Sequence, residues 1–361
     1  MDIFPLKNRI YCRLYGKLHS GQFNNDCLPP EKDFARQLGI SRNTLRRALE
    51  MLENEGILQR TRAVGTVLKT AERKPFTGSF LFCMAQKRNS PHVGESIFRG
   101  VQLASEACHG RADFCFLENL RKIPPAELRQ LLQESCCRGL ITLQRNFTGN
   151  EVFLSLFRSM GLPVVLAYCE KEDPGITGFA GVTHCGVESW LAALRHLTDS
   201  GHRRIATLTV EKEVIRECFS HDEYAKLLTS MGLRTEENPV LHSPMNDRAI
   251  KEKLTPLFNS SAPPDAILCY SDYWAPTVYR VLEKMKLRIP RDVSVMGYCG
   301  SLDSHFTSPA LTTIAIGYEE IGRLAVRLIA DAGSWFNIPG RRPPVFTTPY
   351  MLRIRESTRL R

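Results

Sequence analysis

Between residues 41 and 46 the chain places Ser41, Arg42, Asn43, Thr44 and Arg46 within two helical turns. An arginine can pair bidentately with a guanine edge, and Asn or Thr can read a base edge or hold a phosphate. These groups read DNA when they open a helix that enters the major groove. A second basic cluster, Arg60 and Arg62, precedes Gly65 and suits contact with the phosphate backbone or minor groove. Other chemistry is poorly supported. Twelve cysteines include no C-x-x-C pair, and His184-Cys185 alone does not make a zinc ligand set. The chain contains no G-x-x-x-x-G-K-S/T, G-x-G-x-x-G, G-x-S-x-G or H-E-x-x-H. The expectation is a binding protein with no cofactor and no metal, and not an enzyme.

The elements that would position the basic residues can be read from the same stretch. Ile10, Leu14 and Leu18 recur at helical spacing over residues 6–20, and Gly21 stops the pattern. Leu28-Pro29-Pro30-Glu31 favours a helix start, with Phe34, Ala35 and Leu38 as its apolar side. Gly39-Ile40 makes a turn, and Ser41 caps a third helix that buries Leu45, Leu49 and Leu52 and ends at Gly56. Residues 57–60 and 66–69 read as a hairpin, with Gly65 suited to a bend of positive φ. Two helices joined by a short Gly-containing turn describe a helix-turn-helix.

Charge follows the same division. The 361 residues carry 48 Lys+Arg and 38 Asp+Glu, a net +10. Residues 1–75 hold 14 and 8 of these, so a fifth of the chain carries more than half of the excess. An anionic partner for the first segment fits that split, and so does a solvated basic face. With 43% hydrophobic and 24% charged residues the composition is globular, and the length predicts more than one domain. The apolar runs are too short for a bilayer span, and the N-terminus lacks a signal-peptide layout, so a cytoplasmic protein without a membrane partner is expected.

The first segment resembles the GntR-type winged helix-turn-helix. The resemblance rests on Leu28-Pro-Pro-Glu31, on Ala35-x-x-Leu-Gly-Ile-Ser-Arg-x-Thr-Leu-Arg-x-Ala-Leu49, on Leu52-Glu-x-Glu-Gly56 and on Gly65-Thr66. It implies that Ser41, Arg42, Thr44 and Arg46 contact DNA, that Lys32 stands where the family often has a contacting Arg, and that Gly65 lies at the wing tip.

After a polar, Pro-containing linker at 71–77, apolar runs alternate with amphipathic stretches. Strands are predicted at 80–85, 114–117, 139–143, 163–168, 205–209, 266–270 and 293–298. Helices are predicted at 96–107, 125–134, 151–160, 188–198, 222–231, 247–258 and 274–286. This alternation makes the fold class α/β, with doubly wound parallel sheets whose ligands bind beyond the strands' carboxyl ends.

The second segment resembles the sensor domain of LacI/GalR-type repressors, a two-lobed periplasmic-binding-protein-like fold. The match is carried by His196-Leu-x-x-x-Gly-His-Arg-Arg-Ile-Ala206, Pro264-Asp-Ala-Ile-x-x-x-Ser-Asp272, Leu287-x-Ile-Pro-x-Asp-Val-Ser-Val-x-Gly-Tyr298, Pro309-x-Leu-Thr-Thr-Ile314 and Gly322-x-x-Ala-x-x-Leu328, with Ile97-x-x-Gly-Val101 as a weaker echo. The layout is that of a GntR/LacI hybrid, similar to the arabinose repressor of bacilli. It implies a head at 1–70 and a body at 78–361. Lobe 1 would hold about 78–183 plus 312–340, and lobe 2 about 184–311 plus 341–361. The implied protein is a homodimeric regulator, expected to be a repressor. Its partners would be double-stranded DNA with a pseudo-palindromic operator and a small effector, a sugar or derivative, held between the lobes. By the same resemblance, residues 97–107 and the surface near 309–313 are dimer regions.

The departures fall on ligand-holding positions. Ser271-Asp272 replaces the usual Asn-Asp, Cys299 replaces an Asp, Ser220 stands at a usual Arg, and Thr183-His184 replaces Asp-Asn. Asp272 is read as either a hydroxyl acceptor or a helix cap. Trp274 and Tyr273 either stack on a ligand or pack in the core. The alternatives are a degenerate sensor kept for dimerisation and a winged-helix protein with a catalytic C-terminal domain.

Overall fold

The computed structural model describes residues 9–12, 14, 27–54, 56–61, 65–68, 77–85, 91–144, 147–209, 221–244 and 246–359. In the head, residues 9–12 and 14 are helical. The next helix, Glu31–Leu38, starts behind Pro30, carries Glu31 and Asp33 in its first turn and buries Phe34, Ala35 and Leu38. Acidic side chains there face the positive end of the helix dipole. Gly39, at φ 66°, turns the chain into the recognition helix, Arg42–Asn54. The Ser41 hydroxyl caps that helix by accepting the Thr44 backbone N–H at 3.1 Å. Leu45, Ala48, Leu49 and Leu52 then enter one cluster with Ile10, Leu14, Leu28 and Phe34. Each fully buried leucine contributes about 1.5–3 kcal/mol. The wing pairs β1 (Leu58–Thr61) with β2 (Gly65–Leu68), antiparallel, and Gly65 opens β2 at φ 93°.

The chain divides into two compact units, Met1–Thr183 with Tyr318–Phe346, and His184–Gly317 with Thr347–Arg361. The first crossing falls after Thr183. The other two fall after Gly317 and Phe346, beyond the expected 311 and 340. Strand pairing explains the shift, because residues 312–316 form a strand of the second unit's sheet.

The first unit is built on β3 (Ser79–Met84), β4 (Arg111–Phe116), β5 (Cys137–Leu143), β6 (Val164–Ala167) and β7 (Ala180–His184). Their order is β4-β3-β5-β6-β7, all parallel, with β13 (Val345–Thr348) beside β7. The second unit repeats this plan with β8 (Ile205–Thr209), β9 (Val240–His242), β10 (Ala266–Cys269), β11 (Ser294–Cys299) and β12 (Thr312–Ile316). Here the order is β9-β8-β10-β11-β12, again parallel, and β14 (Tyr350–Arg353) closes the edge antiparallel to β12. Both sheets reverse direction of winding between their first and third strands, which creates a crevice at the carboxyl ends where such sheets bind ligands. In the second unit that point lies between β8 and β10.

All seven predicted strands are present. β7, β9, β12, β13 and β14 were not predicted. The helix Tyr318–Ala330, whose residues the sequence offered only as a motif, packs on Pro91–Ala107 in the first unit.

Candidate functional site

On the head, Lys32, Ser41, Arg42, Asn43 and Arg46 are exposed and Thr44 is half-buried. The cap places Arg42 and Asn43 in the first turn of the recognition helix, where unpaired backbone N–H groups and the dipole also favour an anion. Ser41 has a local task besides any DNA contact, since its oxygen holds the Thr44 N–H and lies 2.8 Å from the Thr44 hydroxyl.

Arg60 stands differently from the expectation of a wing side chain reaching outward. Its guanidinium donates to the Arg46 carbonyl at 3.2 Å and lies 3.4 Å from Glu53, whose carboxylate also accepts the Arg60 backbone N–H at 3.3 Å. It therefore braces the wing against the recognition helix. Glu31 ties the same corner together, 3.1 Å from Arg46 and 3.9 Å from Arg60. Sequence reading passed over Glu31 because it looked only like a first-turn acid. Gly65 is exposed at the wing; Arg62 lies outside the described residues.

In the second unit, Asp272 follows β10 and is 3% exposed. Its two oxygens are both engaged: the Thr313 hydroxyl donates to one at 2.6 Å and the Ser301 backbone N–H donates to the other at 2.6 Å. Gly297 makes room for this, because a β-carbon there would stand 2.0 Å from an Asp272 oxygen. Burial pushes the Asp272 carboxyl up to about 7, against the opposing pull of these donors and of Arg355. Asp272 thus ties the ends of β10, β11 and β12 together. Ser271 caps the turn by accepting the Tyr273 N–H at 3.3 Å. Cys299 ends β11 at φ 96°, its thiol 3.9 Å from the Tyr270 carbonyl.

Trp274 is a correction. At 1% exposure it packs with Leu208, Ile250, Val278 and Leu282, so its ring serves the core and not a ligand face. Tyr273, beside it, is 71% exposed. Ser220 lies outside the described residues.

Sequence reading missed three rings at the same end of this sheet. Trp190 lies 5.1 Å from Tyr298 and 6.2 Å from Tyr270, and the two tyrosines stack with centroids 6.3 Å apart and planes at 20°. The Tyr298 hydroxyl bonds that of Ser189 at 2.6 Å. Trp190 and Tyr298 are buried and Tyr270 is half-buried, so the first two rings pack against each other and only Tyr270 keeps a partly open face for a ligand. Tyr270 and Tyr298 directly precede Ser271 and Cys299, which was the available signal. Among the described residues no group of three or more His, Cys, Asp or Glu side chains is placed to hold a metal ion, and no helix is long and apolar enough to cross a membrane.

A family model described as bacterial regulatory proteins, gntR family, matches residues 6–68, and one described as a periplasmic binding protein-like domain matches residues 194–358. The chain is a GntR-type head on a periplasmic-binding-protein-like body. The arabinose metabolism transcriptional repressor of Halalkalibacterium halodurans is similar to it, 26% identical over 319 residues, which are 83% of this chain and 81% of that protein. The repressor PurR of Glaesserella parasuis is 27% identical over 193 residues, 54% of this chain. That alignment spans only 55% of PurR. Among solved structures, a LacI family regulator of Enterococcus faecium with bound ribose superposes with a TM-score of 0.62 at 19% identity, covering 78% of this chain and 99% of that one. A CelR–cellobiose complex gives 0.61 at 19% identity, covering 91% of this chain and all of the other. At such identities the likeness shows the fold alone, and it leaves the chemistry to the residues above.

Proposed function

We propose that the protein is a cytoplasmic, homodimeric transcriptional repressor whose operator affinity is set by a small effector, a sugar or sugar derivative. The observation that carries this reading is the exposed row Arg42, Asn43 and Arg46 at the capped start of the recognition helix. Two heads would read half-sites about 34 Å, or a multiple of it, apart. Lys32, Thr44 and Arg62 would hold phosphates around them. The names of the similar repressors support a regulator rather than an enzyme.

The effector would sit over the carboxyl ends of β8, β10 and β11, with Tyr270, Tyr273, Ser271 and Cys299 about it. Asp272 would shape that surface while its oxygens stay on Thr313 and Ser301. A ligand changes DNA affinity only by binding one conformation better than another, and such coupling is typically about 1–3 kcal/mol.

Footprinting on the gene's own promoter tests the first part. A protected pseudo-palindrome is expected, and Arg42→Ala and Arg46→Ala should each weaken it by about 1–3 kcal/mol, roughly 5- to 150-fold. Absence of protection, with both variants binding like wild type, would overturn the reading.

One observation favours a second reading, a body kept for dimerisation alone: the acid that resembles the family's ligand contact is already satisfied inside the chain. A thermal-shift screen of pentoses, hexoses, disaccharides and nucleosides separates the two. A bound ligand raises stability by RT ln(1 + [L]/Kd), and a flat response across the panel selects the second reading.

A further inference from the structure

Two cysteine pairs approach each other closely, and they differ in kind. Cys83 and Cys115 face one another across β3 and β4 with sulfurs 3.3 Å apart. Both are buried, and burial pushes the Cys83 thiol well up. Such thiols are inert toward oxidants, because the thiolate is the reactive form.

The second pair joins the two parts of the first unit. Cys12 lies on the head's first helical stretch, and Cys136 sits in the turn that leads into β5 of the body. The Cys136 thiol reaches the backbone of Cys12, its sulfur 3.9 Å from the Cys12 carbonyl oxygen. Arg111 places a guanidinium nitrogen 3.4 Å from the Cys12 sulfur and stands 5.6 Å over the Tyr11 ring. Beside them Arg9 pairs with Glu134, so head and body meet along a continuous polar seam. Cys136 is half-buried and packs against the head's apolar cluster.

We propose that Cys12 and Cys136 are a redox pair that a peroxide converts into a disulfide, tying the head covalently to the body. Cys136 supplies the nucleophile. The neighbouring Cys12 side chain and the charge of Arg111 outweigh partial burial and bring its thiol down to about 7. The Cys136 thiolate attacks one peroxide oxygen; an S–O bond forms, the O–O bond breaks, and hydroxide leaves and is protonated to water. The Cys12 sulfur then attacks the sulfur of the Cys136 sulfenic acid; the S–S bond forms, the S–O bond breaks, and the Cys12 proton passes to the departing hydroxyl, which leaves as a second water. Two thiols lose two electrons in total and one peroxide gains them.

The bond would close a loop over 124 residues and fix the head's first helix to residues 111–136 of the body. Any effect on operator binding rests on the repressor reading. Formation of the bond does not, so the two can fail separately.

The test uses the reduced full chain. Hydrogen peroxide is added, free thiols are alkylated, and peptides are mapped by mass spectrometry without reduction. A cross-link between the Cys12 and Cys136 peptides is expected, reversed by dithiothreitol, lost in Cys12→Ser and Cys136→Ser, and kept in Cys137→Ser. Both thiols remaining alkylatable after peroxide, or a link that survives Cys136→Ser, would overturn the proposal. A second readout needs no variant to fold. The rate of Cys136 alkylation in the wild-type chain should rise with a midpoint near pH 7, below the about 8.5 of an ordinary thiol. A midpoint at or above the ordinary value overturns the assignment of Cys136 as nucleophile.

Discussion

Gly100 and Gly322 meet backbone to backbone where the helices Pro91–Ala107 and Tyr318–Ala330 cross. A β-carbon on Gly322 would lie 2.1 Å from the Ile97 carbonyl oxygen and 3.0 Å from the Gly100 carbonyl carbon, and one on Gly100 would lie 1.9 Å from the Glu319 carbonyl oxygen. The sequence offered these as two separate motifs, Ile97-x-x-Gly-Val101 and Gly322-x-x-Ala-x-x-Leu328; the fold makes them one contact.

Adding a methyl group at either glycine must push the helices apart. Gly100→Ala and Gly322→Ala should each destabilise the first unit by about 1–3 kcal/mol or more, the usual cost of overpacking. Because both changes displace the same pair of helices, the double variant should cost less than the two single costs combined. Urea unfolding of the three variants checks this. Strictly additive losses would mean that the helices adjust independently at the two positions.

Glu31 holds the Arg46 guanidinium at 3.1 Å and reaches toward Arg60 at 3.9 Å. A phosphate approaching the recognition helix must compete with that carboxylate. Glu31→Gln keeps a hydrogen-bonding group and removes the charge, so stability should change by no more than about 1 kcal/mol, the range for exposed ion pairs. DNA affinity at low salt should rise by roughly fivefold, about 1 kcal/mol, with a steeper salt dependence as one more arginine is freed for phosphate. Fluorescence anisotropy over a salt series reads both. Weaker binding would instead assign Glu31 to holding the arginines in their reading position.

What the sequence disclosed was what short-range chemistry decides. Ser41 caps the helix it precedes, Leu45, Leu49 and Leu52 share a buried face, and β10 is a continuous apolar run, as strands covered on both faces tend to be. Thr312–Ile316 escaped notice as a strand because its two leading threonines break the apolar run, although all five residues are buried. The partners of Asp272 lie 29 and 41 residues away, and Trp190, Tyr270 and Tyr298 come from three elements. No local pattern records such meetings. Arg60 was misjudged for the same reason: its carboxylate partners, Glu31 and Glu53, reach it only through the turn and the wing.

Asp272 carries the last expectation. Burial holds its carboxyl near 7, so between about pH 4 and pH 7 the folded chain keeps a proton that the unfolded chain has released. The folded state binds more protons across that window, and stability must fall as pH rises through it. Asp272→Asn removes the titration while keeping the partners satisfied: its carbonyl can accept the Ser301 N–H, and its amide can donate to the Thr313 hydroxyl, which turns from donor to acceptor. From pH 5 to pH 8 the wild-type chain should therefore lose about 2–3 kcal/mol relative to Asp272→Asn. Asp272→Ala behaves differently, because it takes the acceptor from the Ser301 N–H and leaves the Thr313 hydroxyl only the Ile314 carbonyl at 3.3 Å, and it should cost about 1–3 kcal/mol even at low pH. Urea unfolding of the three proteins at pH 5 and pH 8 decides the matter. Parallel pH profiles for wild type and Asp272→Asn would show that the carboxyl is already ionised at pH 5 and that its donors, not its burial, set its charge.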